Sequence, residues 1–576
     1  MSTIPEGNAS TTSQLPRRLL PARVDEDLCL KQKWYYGFPI RYADYDKRLK
    51  GKKGRLTDRM FAVEEDFYHI CAEVLPESPG HEGARFLSSE KGIQTGKVSK
   101  VESNPDQSKH LETGKTKVFD IELEFVNLRS EEYTGDSRIP TKIVSGVSGS
   151  LQQAFTLRWF KRFGTPLEDA LRRDLTVNSL FYNVHTRKVE DHTGKGLQDL
   201  KDGIVRTPLP PRTTFLDDPL RVIRSVRFAS RFGYDMVSEL QDAARDPEIQ
   251  SAIVSKISRE RVGEELDKMM KGRDPLYAIQ LIDSLSLHNA IFCIPPSITP
   301  TFSQQPSHPS SSLAAASILR TLLSPLPSPL PPLHPLFTSI TYDTSTTARL
   351  YLACALTPFR GLTYTDAKGK PHPVVEAAIR ECLKLGAQNH YLDGIPALFA
   401  AAAVLRHPVF GGPLQRVAIG LVLRDKCVHN VNTGAHWVTS TLFALVQELA
   451  SIWDPETDSL DVERGARLVT TYNDFMAKID ELDLTSAADM KPVLTGRDVV
   501  AELGAKPGPW TGHALARVVE WQLAHPAGTK AECAAWLKAE HGAGRIGVGD
   551  AHAGGPTAGK RREGGGEKAK REGGIA

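Results

Sequence analysis

The sequence predicts an α/β segment followed by a longer all-α one, and three observations predict it. First, VFDIELEFVNLRSE (118–131) alternates apolar Val118, Ile121, Leu123, Phe125 and Leu128 imperfectly with acids, as a strand with one covered face does. Second, DDPLRVIRSVRFASRFG (217–233) combines a helix start, a one-sided arginine stripe and a helix stop. Third, VVEAAIRECLKL (374–385), TSTLFALVQELASIW (439–453) and HALARVVEWQLAHP (513–526) repeat their apolar residues with helical periodicity.

At 576 residues the chain is long enough for several domains, and its 40% hydrophobic content is that of a soluble protein. A formal charge of +3 says little about partners, so any nucleic-acid surface must be local. Seven scattered cysteines, none in a CxxC pair, suggest reduced thiols inside a cell, in the cytoplasm, nucleus or mitochondrion. No apolar run reaches the roughly 18 residues of a membrane span. The opening 23 residues contain Glu6 and no apolar centre, a poor secretory signal.

Residues 1–60 have no clear period and no assigned fold; within them Asp44 and Asp46 form a D-Y-D pair that alternation would put on one strand face, though such pairs arise by chance. Glu124 sits mid-strand, either a solvent-side acid or a catalytic carboxylate. Residues 142–162 interrupt the pattern. TPLEDALRRDLTVNSLFYN (165–183) then opens with a capping box, Thr165 to Glu168, with Pro166 at the first helical position. Read as one helix, it makes Asp174 and Asn178 neighbours, with Arg172 and Arg173 upstream. That cluster is either an ion-pair network or a site for a ribose hydroxyl and phosphates.

VEDHTGKGLQDLKDGIVRTPLPP (189–211) reads as a hairpin-like, flexible connection. In 217–233, Asp217 or Asp218 caps, Pro219 suits the first turn and Gly233 closes the helix. At about 100° per residue, Arg221, Arg224, Arg227 and Arg231 share one face, while Val222, Ile223, Val226 and Ala229 share the other. A solvated basic face is the ordinary reading of such a stripe. Four arginines against only Asp217 and Asp218 leave uncompensated charge, which fits a triphosphate. Asp218 and Arg221, one turn apart, offer a carboxylate acceptor beside a planar donor. That edge suits cytosine and adenine, which present an amino donor next to a ring-nitrogen acceptor, and refuses guanine and uracil.

SRERVGEELDKMM (258–270) is an amphipathic helix capped by Ser258, with Val262, Leu266 and Met269 inward and its charges on the surface. Residues 294–337, rich in Pro and Ser, read as a boundary or linker. From Gly542 the Gly, Lys and Arg content predicts a disordered basic tail.

In one order, SKHLET, FVNLRSE, EDALRRD, GLQDLKDGI and DDPLRV followed by RFASRF resemble the class II tRNA nucleotidyltransferases, the CCA-adding enzymes, and most of all the fungal ones. KPGPW (506–510) and VVEWQL (518–523) are similar to that family's last domain. The resemblance implies a polymerase-β-like nucleotidyltransferase head (61–205, interrupted at 142–162) and a helical neck (206–290). A linker (291–337), a tRNA-binding body and tail (338–541) and the basic end (542–576) follow. It implies addition of C, C and A to tRNA 3′ ends from CTP and ATP with Mg²⁺. Glu124, Arg173 and Asp174 would be catalytic, Asp174 also reading the ribose and Glu124 accompanying the metal pair. Asp217, Asp218 and Arg221 would pair with the incoming base; Arg172, Asn178, Arg224 and Arg227 would complete the nucleotide site. The family's GGxVRD stretch and the following metal-binding DxD pair have no match before Lys97. Intron translated as protein would account for both this departure and residues 142–162, and the chain as written is expected to add little CCA. The alternatives are a tRNA- or nucleotide-binding protein without catalysis and a poly(A) polymerase-like enzyme.

Overall fold

The computed structural model describes residues 165–183, 188–412, 414–454, 456–457 and 459–548, together with the backbone of five strands before them. Asp44, Asp46, the 142–162 interruption and residues 549–576 of the predicted tail lie outside the described residues.

Strands β1 (Trp34–Tyr35) and β2 (Phe38–Pro39) pair antiparallel, and β3 (Ser99–Val101), β4 (Thr113–Val118) and β5 (Ile121–Val126) form a three-stranded antiparallel sheet in sequence order. The strand expected over 118–131 is the shorter β5, and Val118 is the last residue of β4. The chain reverses between Val118 and Ile121, which face each other, and Glu124 pairs in register with Lys115.

After the sheet come α1 (Pro166–Leu171), the hairpin of β6 (Phe181–Asn183) and β7 (Lys188–Glu190), and α2 (Gly196–Asp202). The α1 capping box forms as expected: the Thr165 hydroxyl accepts from the Glu168 amide at 3.2 Å, and the Thr165 amide donates to Glu168 Oε2 at 2.6 Å. The helix stops far short of residue 183, with a turn and a 3₁₀ segment, Thr176–Asn178, taking its place. Residues 189–211 are likewise not a flexible connection, because Asp191 accepts from the Leu197 amide at 3.0 Å and starts α2. Gly196 is required there: a Cβ would sit 2.7 Å from the Thr176 carbonyl oxygen.

Two compact units make up the chain, residues 1–408 with 426–474, and residues 409–425 with 475–576. In the first, β8 (Ile204–Val205) pairs parallel with β9 (Asp235–Met236) on either side of α3 (Pro211–Asp217) and α4 (Leu220–Phe232). Helices α5 (Ser238–Arg245), α6 (Pro247–Lys256), α7 (Arg259–Met270), α8 (Pro275–Ser284) and α9 (His288–Ile291) follow. The Pro/Ser-rich stretch is not a linker. It holds α10 (Ser310–Leu323), whose Ala314, Ala315, Ala316, Ile318 and Leu319 are buried, because its prolines lie outside the helix while its alanines and leucines keep helical spacing. Helices α11 (Thr344–Ala355), α12 (Val374–Ala377), which runs into a π-helical turn at Ala378–Cys382, and α13 (Tyr391–Val404) follow, and α10 and α13 pack against α15 (Trp437–Ala450). Residues 437–449 of α15 are all buried, so this helix is apolar around its circumference rather than on one stripe.

The second unit contains α14 (Gln415–Leu423), α17 (Gly496–Leu503), α18 (Trp510–Ala524) and α19 (Lys530–Gly542); α16 (Val462–Glu481) begins in the first unit and ends in the second. Leu494, Val499, Ala514, Val518, Trp521, Cys533 and Leu537 form the second unit's core. The architecture is an α/β head followed by helical domains, as expected.

A candidate nucleotide site on the arginine helix

Helix α4 starts later than the 217–233 reading and ends where expected. Asp217 is the last residue of α3, Asp218 is extended at φ −136° and ψ 98°, and Pro219 turns the chain into Leu220. Asp218 still caps, its Oδ1 accepting from the Leu220 amide at 3.2 Å. Gly233 closes the helix at φ +73°. Val222, Ile223, Val226 and Ala229 are fully buried, so the apolar face packs as its spacing predicts.

The arginine face is not a row of unpaired cations, contrary to the expectation of uncompensated charge. Arg221 lies 3.1 Å from Asp217 and donates to the carbonyls of Arg172 at 2.7 Å and Thr214 at 3.4 Å. Arg224 grips Asp174 Oδ2 with Nε at 2.8 Å and Nη2 at 2.6 Å. Arg227 is buried, pairs through Nε with buried Glu265 of α7 and stacks 4.1 Å from the Phe228 ring centre. Glu265 also holds Lys268 at 3.0 Å and lies 3.9 Å from Arg224. Most charges of α7 are at the surface, as expected; Glu265 is the buried exception.

Asp174 collects the rest of the site. Its Oδ1 accepts from the Leu175 amide at 2.9 Å and from Asn178 Nδ2 at 3.0 Å, so the two side chains do meet, through the turn and 3₁₀ segment instead of one helix. Burial pushes the Asp174 carboxyl up, but Arg224, Asn178 and Arg221 outweigh it and hold the group below the usual carboxylate range. Glu265 is lowered in the same way, burial being outweighed by Arg227 and Arg224. Arg173 is clamped, with Nε and Nη2 on Asp169 at 3.0 and 2.8 Å, Nη1 on the Asn178 carbonyl at 3.0 Å and the Phe181 ring 4.8 Å below.

Asp218 and Arg221 do not face each other as a ready-made pair. Asp218 Oδ2 is instead met by Arg261 of α7, at 3.4 Å, while Arg221 turns toward α3. Arg261 and Glu265, four apart, thus present one face of α7 to Asp218, Arg224 and Arg227. The sequence reading missed both, although the R-x-x-x-E spacing in SRERVGEEL was a signal.

Similarity to known proteins runs along most of the chain. The Poly A polymerase head domain matches residues 77–206, and the probable RNA and SrmB-binding site of polymerase A matches residues 249–301. The mitochondrial CCA tRNA nucleotidyltransferase of Saccharomyces cerevisiae is 36% identical over 462 residues, 78% of this chain and 79% of the relative. This chain belongs to the CCA tRNA nucleotidyltransferase family. Within the family the Candida glabrata mitochondrial enzyme is 34% identical, over 78% of this chain and 81% of its own. The Thermotoga maritima CCA-adding enzyme complexed with tRNA aligns at 15% identity over 80% of this chain and 83% of its own, with a TM-score of 0.45.

For Mg²⁺, no group of three or more His, Cys, Asp or Glu side chains among the described residues is placed to hold an ion. The oxygens of Asp174 are taken by Arg224, Asn178 and a backbone amide. The described residues do not form a metal site.

Proposed function

We propose that this protein adds C, C and A to the 3′ ends of tRNA from CTP and ATP, as a Mg²⁺-dependent nucleotidyltransferase. The observation that supports it most is membership of the family across 462 residues, with the aligned relatives named for this reaction. Asp217, Asp218, Arg221, Arg224 and Asp174, together with Arg172, Arg173, Asn178 and Arg227, are the proposed nucleotide site. In it Asp218 accepts the amino proton of cytosine or adenine, and Arg221 turns from the Arg172 carbonyl to donate to the adjoining ring nitrogen. Arg224, a third exposed, is the cation most able to reach a phosphate oxygen while remaining on Asp174. Mg²⁺ would neutralise phosphate charge and activate the attacking 3′-hydroxyl. The domain assignment follows: head to residue 205, neck to 290, then a body and tail that hold tRNA.

The test is incorporation of labelled CMP and AMP into a tRNA transcript lacking its 3′ end. The expected product is CCA, with UTP and GTP refused. One sequence feature favours a second reading, a protein that binds tRNA and nucleotide without transfer: the family's GGxVRD stretch and DxD pair have no match before Lys97. Binding without incorporation would establish that reading. Long adenylate tails made from ATP alone would instead point to poly(A) synthesis, the activity named for the Escherichia coli relative, whose 34% identity spans only 26% of this chain.

A further inference from the structure

Phe228 differs from the other apolar residues of α4. Val222, Ile223, Val226 and Ala229 are fully buried on the face that packs, whereas Phe228 lies one turn beyond Arg224 on the arginine face and is only partly buried. Two guanidinium groups share its ring: the guanidinium carbon of Arg227 stands 4.1 Å from the ring centre and that of Arg224 5.6 Å. The ring is itself held in place. Phe232 stacks against it at 5.9 Å and 12°, and Phe232 in turn meets buried Tyr234 at 5.4 Å. Tyr234 packs on Gly203, where a Cβ would come within 3.3 Å of its ring. Three rings thus form a row from the arginine stripe to a buried end. Of the two arginines, Arg227 is committed to Glu265. Arg224 gives Nε and Nη2 to Asp174, while its Nη1 lies 3.9 Å from Glu265 Oε1, beyond a hydrogen bond.

We propose that Phe228 is a positioning residue of the nucleotide site, its ring setting the tilt of the Arg224 guanidinium and so aiming the remaining N–H groups at a phosphate of CTP or ATP. The inference rests on the nucleotide-site reading above. A carboxylate gripped by two N–H groups fixes the direction in which a guanidinium points, but leaves it free to tilt about that direction. A ring face beside it restricts the tilt, because the attraction between cation and ring weakens when the group turns away. An arginine already oriented loses less freedom when it binds a phosphate.

The test measures CTP and cytidine binding by calorimetry in the full-length protein and in its Phe228→Leu, Phe228→Tyr and Arg224→Gln variants, with Phe228→Leu and Arg224→Gln also combined. Leucine keeps an apolar side chain and removes the ring; tyrosine keeps the ring. Phe228→Leu is expected to weaken CTP about two- to five-fold, the span of a cation–π contact at a partly exposed site, and to leave cytidine unchanged. Phe228→Tyr should bind CTP as the parent does. In the Arg224→Gln background the leucine change should add nothing, because the group that the ring positions is gone. Unaltered CTP affinity in Phe228→Leu would overturn the proposal, as would a tyrosine variant as weak as the leucine one. An equal loss for cytidine, or a loss that persists in full without Arg224, would overturn it too and make the ring ordinary packing of α4. A parent protein that binds no CTP would refute the nucleotide-site reading and this proposal with it, a result distinct from a binding parent with unaffected variants.

Discussion

At the scale of single residues, two neighbouring arginines of one stripe are expected to behave differently. Arg227 is 10% exposed at its side chain and locked on Glu265, whereas Arg224 is 33% exposed and paired with Asp174. Replacing one partner of a buried ion pair leaves the other uncompensated and costs about 3–5 kcal/mol. Arg227→Gln is therefore expected to lower stability in urea unfolding, and Arg224→Gln to weaken CTP and ATP alike while sparing cytidine. Asp218→Ala should lose on the order of 1–3 kcal/mol of binding for both CTP and ATP, read by calorimetry. Unchanged affinities would remove Asp218 from base reading. The pH dependence follows from Glu265 and Asp174, both held below their ordinary values when folded. A depressed folded value contributes stability above the unfolded pKa of about 4 and loses it as pH falls through the folded one. Urea midpoints should be level from about pH 7 to 5 and fall below that, with a shallower fall in Glu265→Gln.

At the scale of helices, α4 is readable in the sequence because its apolar face, its proline entry and its glycine stop are all local signals. Its partners are not. Asp174, Glu265 and Arg261 meet residues of the 217–233 stretch across sequence separations of 50, 38 and 43 residues, which no local periodicity reports. The same limit explains why four arginines read as uncompensated, and why a Pro/Ser-rich stretch concealed α10. Close packing of α7 gives the sharpest test at this scale. A Cβ on Gly263 would lie 1.9 Å from the Leu383 carbonyl oxygen, beside the π-helical turn. Alanine gains about 1 kcal/mol over glycine in helix propensity, but overlap with backbone that cannot rotate away costs about 1–3 kcal/mol or more. Gly263→Ala should therefore destabilise the protein. A higher melting temperature would mean that α7 and the turn at Leu383 separate easily.

At the scale of the whole molecule, the proposed recognition groups and the chemical step can be tested separately. The groups proposed to read base and phosphate lie between residues 172 and 227, on α3, α4 and the turn and 3₁₀ segment that follow α1, and Arg221, Arg224 and Arg227 are held by ion pairs that need no metal. Transfer of a nucleotidyl group requires charge neutralisation at the phosphate, which arginines on one side supply only in part. Removing Mg²⁺ with EDTA should thus abolish CMP and AMP incorporation while leaving tRNA binding measurable. Since no carboxylate cluster among the described residues fits an ion, the acids that complete the reaction should come from the segment before Thr165, and alanine at Asp44, Asp46 and Glu124 tests each. Loss of incorporation with CTP affinity retained would assign that residue to the chemical step. If all three variants incorporate as the parent does, none of these acids serves the chemical step. If the parent itself binds tRNA and CTP yet incorporates nothing, the chain recognises its substrates without transferring to them.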